Sequence, residues 1–226
     1  MPISRPTTLF FDVNETLLDL QPVKDSVTDA LGGRRELVPV WFTTLLQYSL
    51  VATVSEHYAG FGDIAAAALR LVARQHDLDL DPDAAEQALE PIRHLPPHPD
   101  VAPALTRLRA AGYRLYTLTN SAPDALRAQM DHAGLTDLFD GLLSVDATMR
   151  FKPHPDTYAY ALAQAGSAPA ESLLVAAHGW DIAGAGWAGL QTAFVARPGH
   201  ALYPLAATPT HEVADLHVLA DRLCPA

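Results

Sequence analysis

Five short apolar runs, none longer than seven residues, recur along the chain with amphipathic helical segments between them, and this alternation restricts the possible folds more than any other feature. The runs are 8–13 (TLFFDV), 113–119 (YRLYTLT), 141–145 (GLLSV), 172–177 (SLLVAA) and 191–196 (QTAFVA). Each is too short for a core helix and apolar on both faces, the pattern of a strand buried in a parallel sheet. Helical periodicity covers 100–111, 122–133, 154–165 and 181–189. Strands alternating with helices predict an α/β fold, a Rossmann-like, doubly wound parallel sheet. Ligands bind such sheets beyond the carboxyl ends of their strands, where Asp12, Thr119 and His178 fall.

Residues 20–97 read differently, as helices over 22–31, 36–58, 61–76 and 82–93 with no strand among them. The segment closes in HLPPHPD (94–100), whose prolines bar helix continuation and mark a linker. The expected layout is a core domain of residues 1–19 and 98–226, with 20–97 inserted after the first strand as a helical cap. A chain of 226 residues is long enough for that arrangement. Its formal net charge of −11 disfavours phosphate backbones and anionic lipid, so neither nucleic acid nor membrane is expected as a partner. One cysteine, Cys224, cannot form an internal disulfide or a thiolate cage and is read as incidental. The first residues show no signal-peptide pattern, and no apolar stretch is read as long enough to span a bilayer. A cytoplasmic location is the expectation.

The segment FFDVNETLLD (10–19), Thr119-Asn120 after a strand, LLSVD (142–146), FKP (151–153) and GWDIAGA (179–185) occur in this order on the expected elements. On these motifs the chain resembles the haloacid dehalogenase superfamily, and within it the type II 2-haloacid dehalogenases, over nearly its whole length. The resemblance implies that Asp12 attacks substrate carbon as a carboxylate nucleophile, with Lys152 and Asp181 as the charged groups beside it. A carboxylate at a strand end can stay ionised among hydrogen-bond donors, as a nucleophile must. Thr16 can hydrogen-bond that carboxylate, and Val13, Asn14, Thr119 and Asn120 surround a substrate carboxylate or leaving halide. The helix starting after Ser121-Ala122 offers its N-terminus to an anion. Phe42, Phe61 and Trp180 suggest an apolar pocket, although aromatic residues at such positions are as often plain core. Tyr158 matches a family tyrosine near the nucleophile.

Several positions depart from the pattern of that family. The arginine usual after the cap tryptophan is absent: Phe42 follows Trp41. The serine and asparagine of the fourth motif are replaced by Ala176 and His178. The second aspartate by which phosphatases of the superfamily protonate the leaving group is Asn14, which cannot donate in that way. Glu15 and His178 both reach towards the nucleophile, and His178 is expected as the general base that activates water, oriented by Glu15. Histidine suits that task because it titrates near neutrality. A second reading, in which His178 fills space or binds the substrate carboxylate, stays open. The remaining histidines are expected to be surface or core residues.

The implied activity is hydrolysis of a short 2-haloalkanoic acid through an aspartyl ester, with no cofactor and no metal. The partner is then a small-molecule haloacid, and a homodimer is expected by analogy. Rivals are a magnesium-dependent phosphatase, a hydrolase opening strained rings, and a degenerate binding protein.

Overall fold

β1 (Thr8–Phe11) is buried along its full length and lies at the centre of one six-stranded sheet with the order β3-β2-β1-β4-β5-β6. The structure, a computed structural model, describes residues 5–224. All five strand pairings are parallel. The partners are β2 (Arg114–Thr119), β3 (Gly141–Ser144), β4 (Ser172–Ala176), β5 (Gln191–Val195) and β6 (His211–Val213). In β1, Phe11 pairs with Thr117 on one side and Val175 on the other, so Asp12 emerges where the strand order reverses. That crevice is the usual ligand position in an open α/β sheet.

Helices α1 (Gln21–Ala30), α2 (Val38–Ser55), α3 (Phe61–Gln75) and α4 (Pro82–Leu89) follow β1 in the chain, before β2. The last expected cap helix is shorter than its periodicity suggested, because Pro91 lacks the N–H for a further α turn and 90–94 tightens into a 3-10 turn. The inserted segment leaves and rejoins the core side by side. Leu18 forms a bridge with Pro97, Asp19 N–H donates to Pro96 O (2.9 Å), and His98 N–H donates to Leu17 O (2.9 Å). The core continues through α5 (Val101–Ala110), α6 (Pro123–His132), α7 (Pro155–Ala165), α8 (Gly179–Trp187) and α9 (Leu216–Leu223).

Three further points differ from the sequence reading. β6 and α9 were not anticipated after residue 196. The strand has only three residues, and it follows a stretch rich in proline and glycine. Second, a segment long and apolar enough to cross a bilayer does exist: Arg35–Ser55, with mean hydropathy 1.5. It packs mainly on α3, burying Trp41 and Leu45, and Trp41 Nε1 donates to Ala65 O (3.0 Å). Its hydropathy stems from its outer face, where Val40, Tyr48, Val51 and Val54 are exposed. Third, His200 is neither plain surface nor core, as described next.

Candidate active site

The turn after β1 is built to return side chains to the strand end. Leu17 and Leu18 N–H groups both donate to Val13 O (2.8 and 3.1 Å), and Glu15 takes a left-handed backbone with φ of 63°. For a residue with a Cβ that conformation costs about 1 kcal/mol or more, and it persists where surrounding contacts fix it. It aims the Glu15 carboxylate back at His178, the residue that caps α8. Thr16 Oγ1 donates to Asp12 Oδ2 (2.7 Å) and accepts from Ala177 N (2.9 Å), joining the first loop to the end of β4.

Lys152 lies across the sheet edge at 2 % exposure. Its ammonium group donates to Asp12 Oδ1 (2.9 Å), Asp181 Oδ2 (2.6 Å) and Leu118 O (2.8 Å). Three protons meet three acceptors, which is the full capacity of a lysine. Removing one partner from so buried an ion cluster typically costs about 3–5 kcal/mol. Burial by itself pushes the Asp12 carboxyl up; Lys152 first, and then His178, overcome it and hold Asp12 well below the ordinary carboxylate range. Asp181 differs: burial and the charge of Asp12 raise it despite Lys152 and the Tyr158 hydroxyl, which donates to its Oδ1 (2.6 Å). Of the two carboxylates sharing Lys152, Asp12 is therefore the more firmly ionised.

His178 stands between two carboxylates. Its Nδ1 is 3.0 Å from Asp12 Oδ2, and its Nε2 is 3.0 Å from Glu15 Oε2. Burial lowers its affinity for a proton, but its hydrogen bonds to the Asp12 and Glu15 carboxylates outweigh this and raise its pKa to about 9. The ring is consequently charged at neutral pH, contrary to the near-neutral titration expected from the residue type. Glu15 is held well below the usual range: burial opposes its ionisation, while His178, His200 and Lys24 favour it. Glu15 Oε1 is approached by Lys24 Nζ at 2.5 Å and by His200 Nε2 at 3.6 Å. Glu15, His178 and His200 offer one ligand atom each within 4.8 Å of one another, a spacing that a divalent ion could bridge. The Lys24 ammonium already supplies a cation there.

The remaining predicted residues divide between site and scaffold. Phe42 stacks on His178 (centroids 6.1 Å apart, 21° between planes), and Trp180 covers the same ring from 5.1 Å. Phe61 packs on Phe151 instead of His178. The Val13 side chain is fully buried in the core. Asn120 Oδ1 accepts from Lys152 N (3.0 Å), Thr119 Oγ1 accepts from Ser121 N (3.2 Å), and Tyr158 is buried behind Asp181. The Asn14 amide donates to Ser121 Oγ (3.2 Å) and accepts from Gln129 Nε2 (2.9 Å).

Two cavities flank this cluster and share Leu20, Trp41 and Phe42 as a wall. The larger, about 920 Å³, meets Glu15, His178, His200, Lys24 and Trp180. The smaller, about 540 Å³, meets Asn14, Phe61, Ser121 and Ala122 at the N-terminus of α6. Sequence reasoning missed Lys24 and His200. For His200 a signal existed, since it follows the end of β5 at the same edge of the sheet as Asp12 and His178.

A family model described as haloacid dehalogenase-like hydrolase matches residues 6–189. An (S)-2-haloacid dehalogenase of Xanthobacter autotrophicus is 39 % identical over 188 residues, covering 83 % of this chain and 74 % of that protein. Another (S)-2-haloacid dehalogenase, from Pseudomonas sp. (strain YL), is 32 % identical over 93 % of this chain and 91 % of its own. A solved structure of the L-2-haloacid dehalogenase from Xanthobacter autotrophicus with chloropropionic acid covalently bound superposes with a TM-score of 0.88 at 32 % identity, covering 98 % of this chain and all of that one. With the parallel sheet and the Asp12–Lys152–Asp181 cluster at its switch point, these matches place the chain in the haloacid dehalogenase-like hydrolase family.

Proposed function

We propose that this protein hydrolyses short 2-haloalkanoic acids, with Asp12 forming an ester to the carbon that carries the halogen. The observation that carries this reading is the Asp12 carboxylate: buried, firmly ionised, and with Oδ1 and Oδ2 bonded to different donors. The (S)-2-haloacid dehalogenases among the relatives support the substrate class. The haloacid would enter by the smaller cavity, its carboxylate at the N-terminus of α6 beside Thr119 and Asn120. A carboxylate oxygen of Asp12 displaces halide in line, so one carbon–oxygen bond forms as the carbon–halogen bond breaks.

Ester formation removes one negative charge from a group of three carboxylates (Asp12, Glu15, Asp181) balanced by Lys152, Lys24 and His178. The imidazolium is then in excess, its acidity rises, and its proton departs with the halide. Neutral His178, oriented by Glu15 on Nε2, next takes a proton from water at Nδ1. The hydroxide attacks the ester carbonyl carbon, restoring Asp12 as a carboxylate. The second proton of the water ends on the hydroxyl of the 2-hydroxy acid. The ring is a base only after the first half-reaction, which reconciles its role with its raised pKa.

Lys152 supplies the positive charge beside the nucleophile from the chain itself, so turnover is proposed to need no metal. The phosphatase alternative is disfavoured by Asn14, whose amide is engaged on both atoms and has no acidic proton to give. We also propose that residues 20–97 act as a cap and that the exposed apolar face of α2 joins two copies; sedimentation should give a dimer, and a monomer would discard that point.

A panel of chloro-, bromo- and fluoroacetate with halide detection tests the activity. Asp12→Asn should release halide at least 1,000-fold more slowly than the parent, and EDTA should leave the parent rate unchanged. Normal turnover in Asp12→Asn would exclude the ester.

A further inference from the structure

We propose that His200 is a positioning residue for ester hydrolysis: it steadies the Glu15 carboxylate against His178, and a strap of residues 196–206 delivers it there. The inference rests on the proposed dehalogenase reading and deepens it. Its first observation is how the strap is fastened. Arg197 donates to both oxygens of Asp100 (2.9 and 3.0 Å) and twice to Thr16 O (3.2 and 3.0 Å), so the strap begins tied to the nucleophile loop. Gly199, at φ 85°, turns the chain back, and His200 N–H donates to Arg197 O (3.2 Å).

The second observation is how the strap is seated. Ala201 O lies where a side chain on Gly179 would be: a Cβ there would come within 2.2 Å of that oxygen, 3.0 Å of Tyr203 N and 3.1 Å of Leu202 Cα. The first residue of α8 is thus the floor on which the strap rests, next to His178. The third observation is the placement of the ring. His200 meets His178 edge to face at 4.9 Å and directs Nε2 at Glu15 Oε1 from 3.6 Å, an electrostatic contact longer than a formed hydrogen bond.

A carboxylate orients an imidazole only if its own rotation is restrained. Glu15 Oε2 faces His178, and Oε1 is restrained from two directions: by Lys24 on α1, in the inserted helices, and by His200 on the sheet side. Lys24 is more than one-third exposed and belongs to the inserted helices, whereas His200 lies on a strap fastened to the core through Arg197. Around His178 the other charged groups are Asp12 at Nδ1 and Lys152 beyond it, both fixed by buried bonds. Glu15 keeps its place through the contacts on its two oxygens, and His200 is the partner of Oε1 that comes from the sheet side.

One arm of the test needs no substrate. Nitrogen-15 NMR titration of His178 in the full-length protein should show its pKa lower in His200→Ala than in the parent, partly recovered in His200→Gln, which keeps a donor. An unchanged titration would overturn the proposal. In the second arm, rapid quench with bromoacetate separates halide burst from glycolate release. His200→Ala should keep the burst, slow glycolate release about tenfold or more, and shift the pH profile of that step. Gly179→Ala, which displaces the strap while removing no polar atom, should do the same. Parental glycolate release and pH profile in His200→Ala would also overturn it. Absence of halide release from the parent with every haloacid would instead defeat the dehalogenase reading, and the NMR arm would still decide the role of His200.

Discussion

His178 answers to two carboxylates at once, so its proton is a property of the cluster and not of the ring. If the ester removes one of those carboxylates, a proton should leave for solvent with the halide, and the ring should take its replacement from the water that cleaves the ester. Stopped flow with a pH indicator at pH 7.5 is expected to show about one proton per halide in the burst phase, and in His178→Asn the release should move to the hydrolytic phase. The same ring links folding to pH. Its folded pKa of about 9 exceeds the unfolded value near 6.5, so the folded chain binds more protons between them. Its contribution to stability is therefore complete below about pH 6.5 and lost as pH rises through about 9; chemical denaturation across that window should show the decline in the parent and not in His178→Asn. Asp12 and Glu15, with depressed pKa values, contribute in the opposite sense, and their stabilisation is lost on acidification. Asp12, Asp181 and His178 were legible in the sequence because each follows a strand or opens a helix at one sheet edge, and Lys152 because it sits in the FKP motif. Lys24 was not, because nothing local in QPVKDS marks a side chain as aimed at a carboxylate nine residues away, and His200, 185 residues from Glu15, carried only its place after β5 as a signal.

At the scale of elements, α8 packs closely at both of its contacts through Gly179 and Gly184. A Cβ on Gly184 would come within 2.3 Å of Pro153 Cβ and 2.7 Å of the Tyr158 hydroxyl, so α8 approaches the Lys152–Pro153 corner as closely as glycine allows. Gly184→Ala should push the helix outward, costing about 1–3 kcal/mol of stability by overpacking. Because Asp181 rides on the same helix, it should also lower activity at least tenfold; thermal melts and initial rates check both effects. The five main strands and most helices followed from periodicity, since burial on both faces leaves a plain mark in Leu, Val and Phe. β6 is a three-residue edge strand with one buried side chain, too short for such a mark. The apolar length of Arg35–Ser55 was missed, although this helix was read correctly as part of the inserted segment.

Over the whole molecule the excess of acidic residues gives a net charge of −11, while the ion pairs that matter for chemistry are buried. Self-repulsion should therefore be screened by salt with little loss from the core: the melting temperature is expected to be higher in 0.3 M than in 0.01 M NaCl, and a fall would mean that exposed pairs such as Arg107–Asp221 dominate. The doubly wound α/β class was legible from the alternation of strands and helices, whereas the strand order comes from the structure. The paired exit and return of the inserted helices at Leu18 and Pro97 has a practical corollary. Two chain ends meeting at one bridge form a ready splice point: a foreign helical module with its termini spaced alike could be grafted there, retuning what reaches Asp12 while the machinery beneath stays as it is.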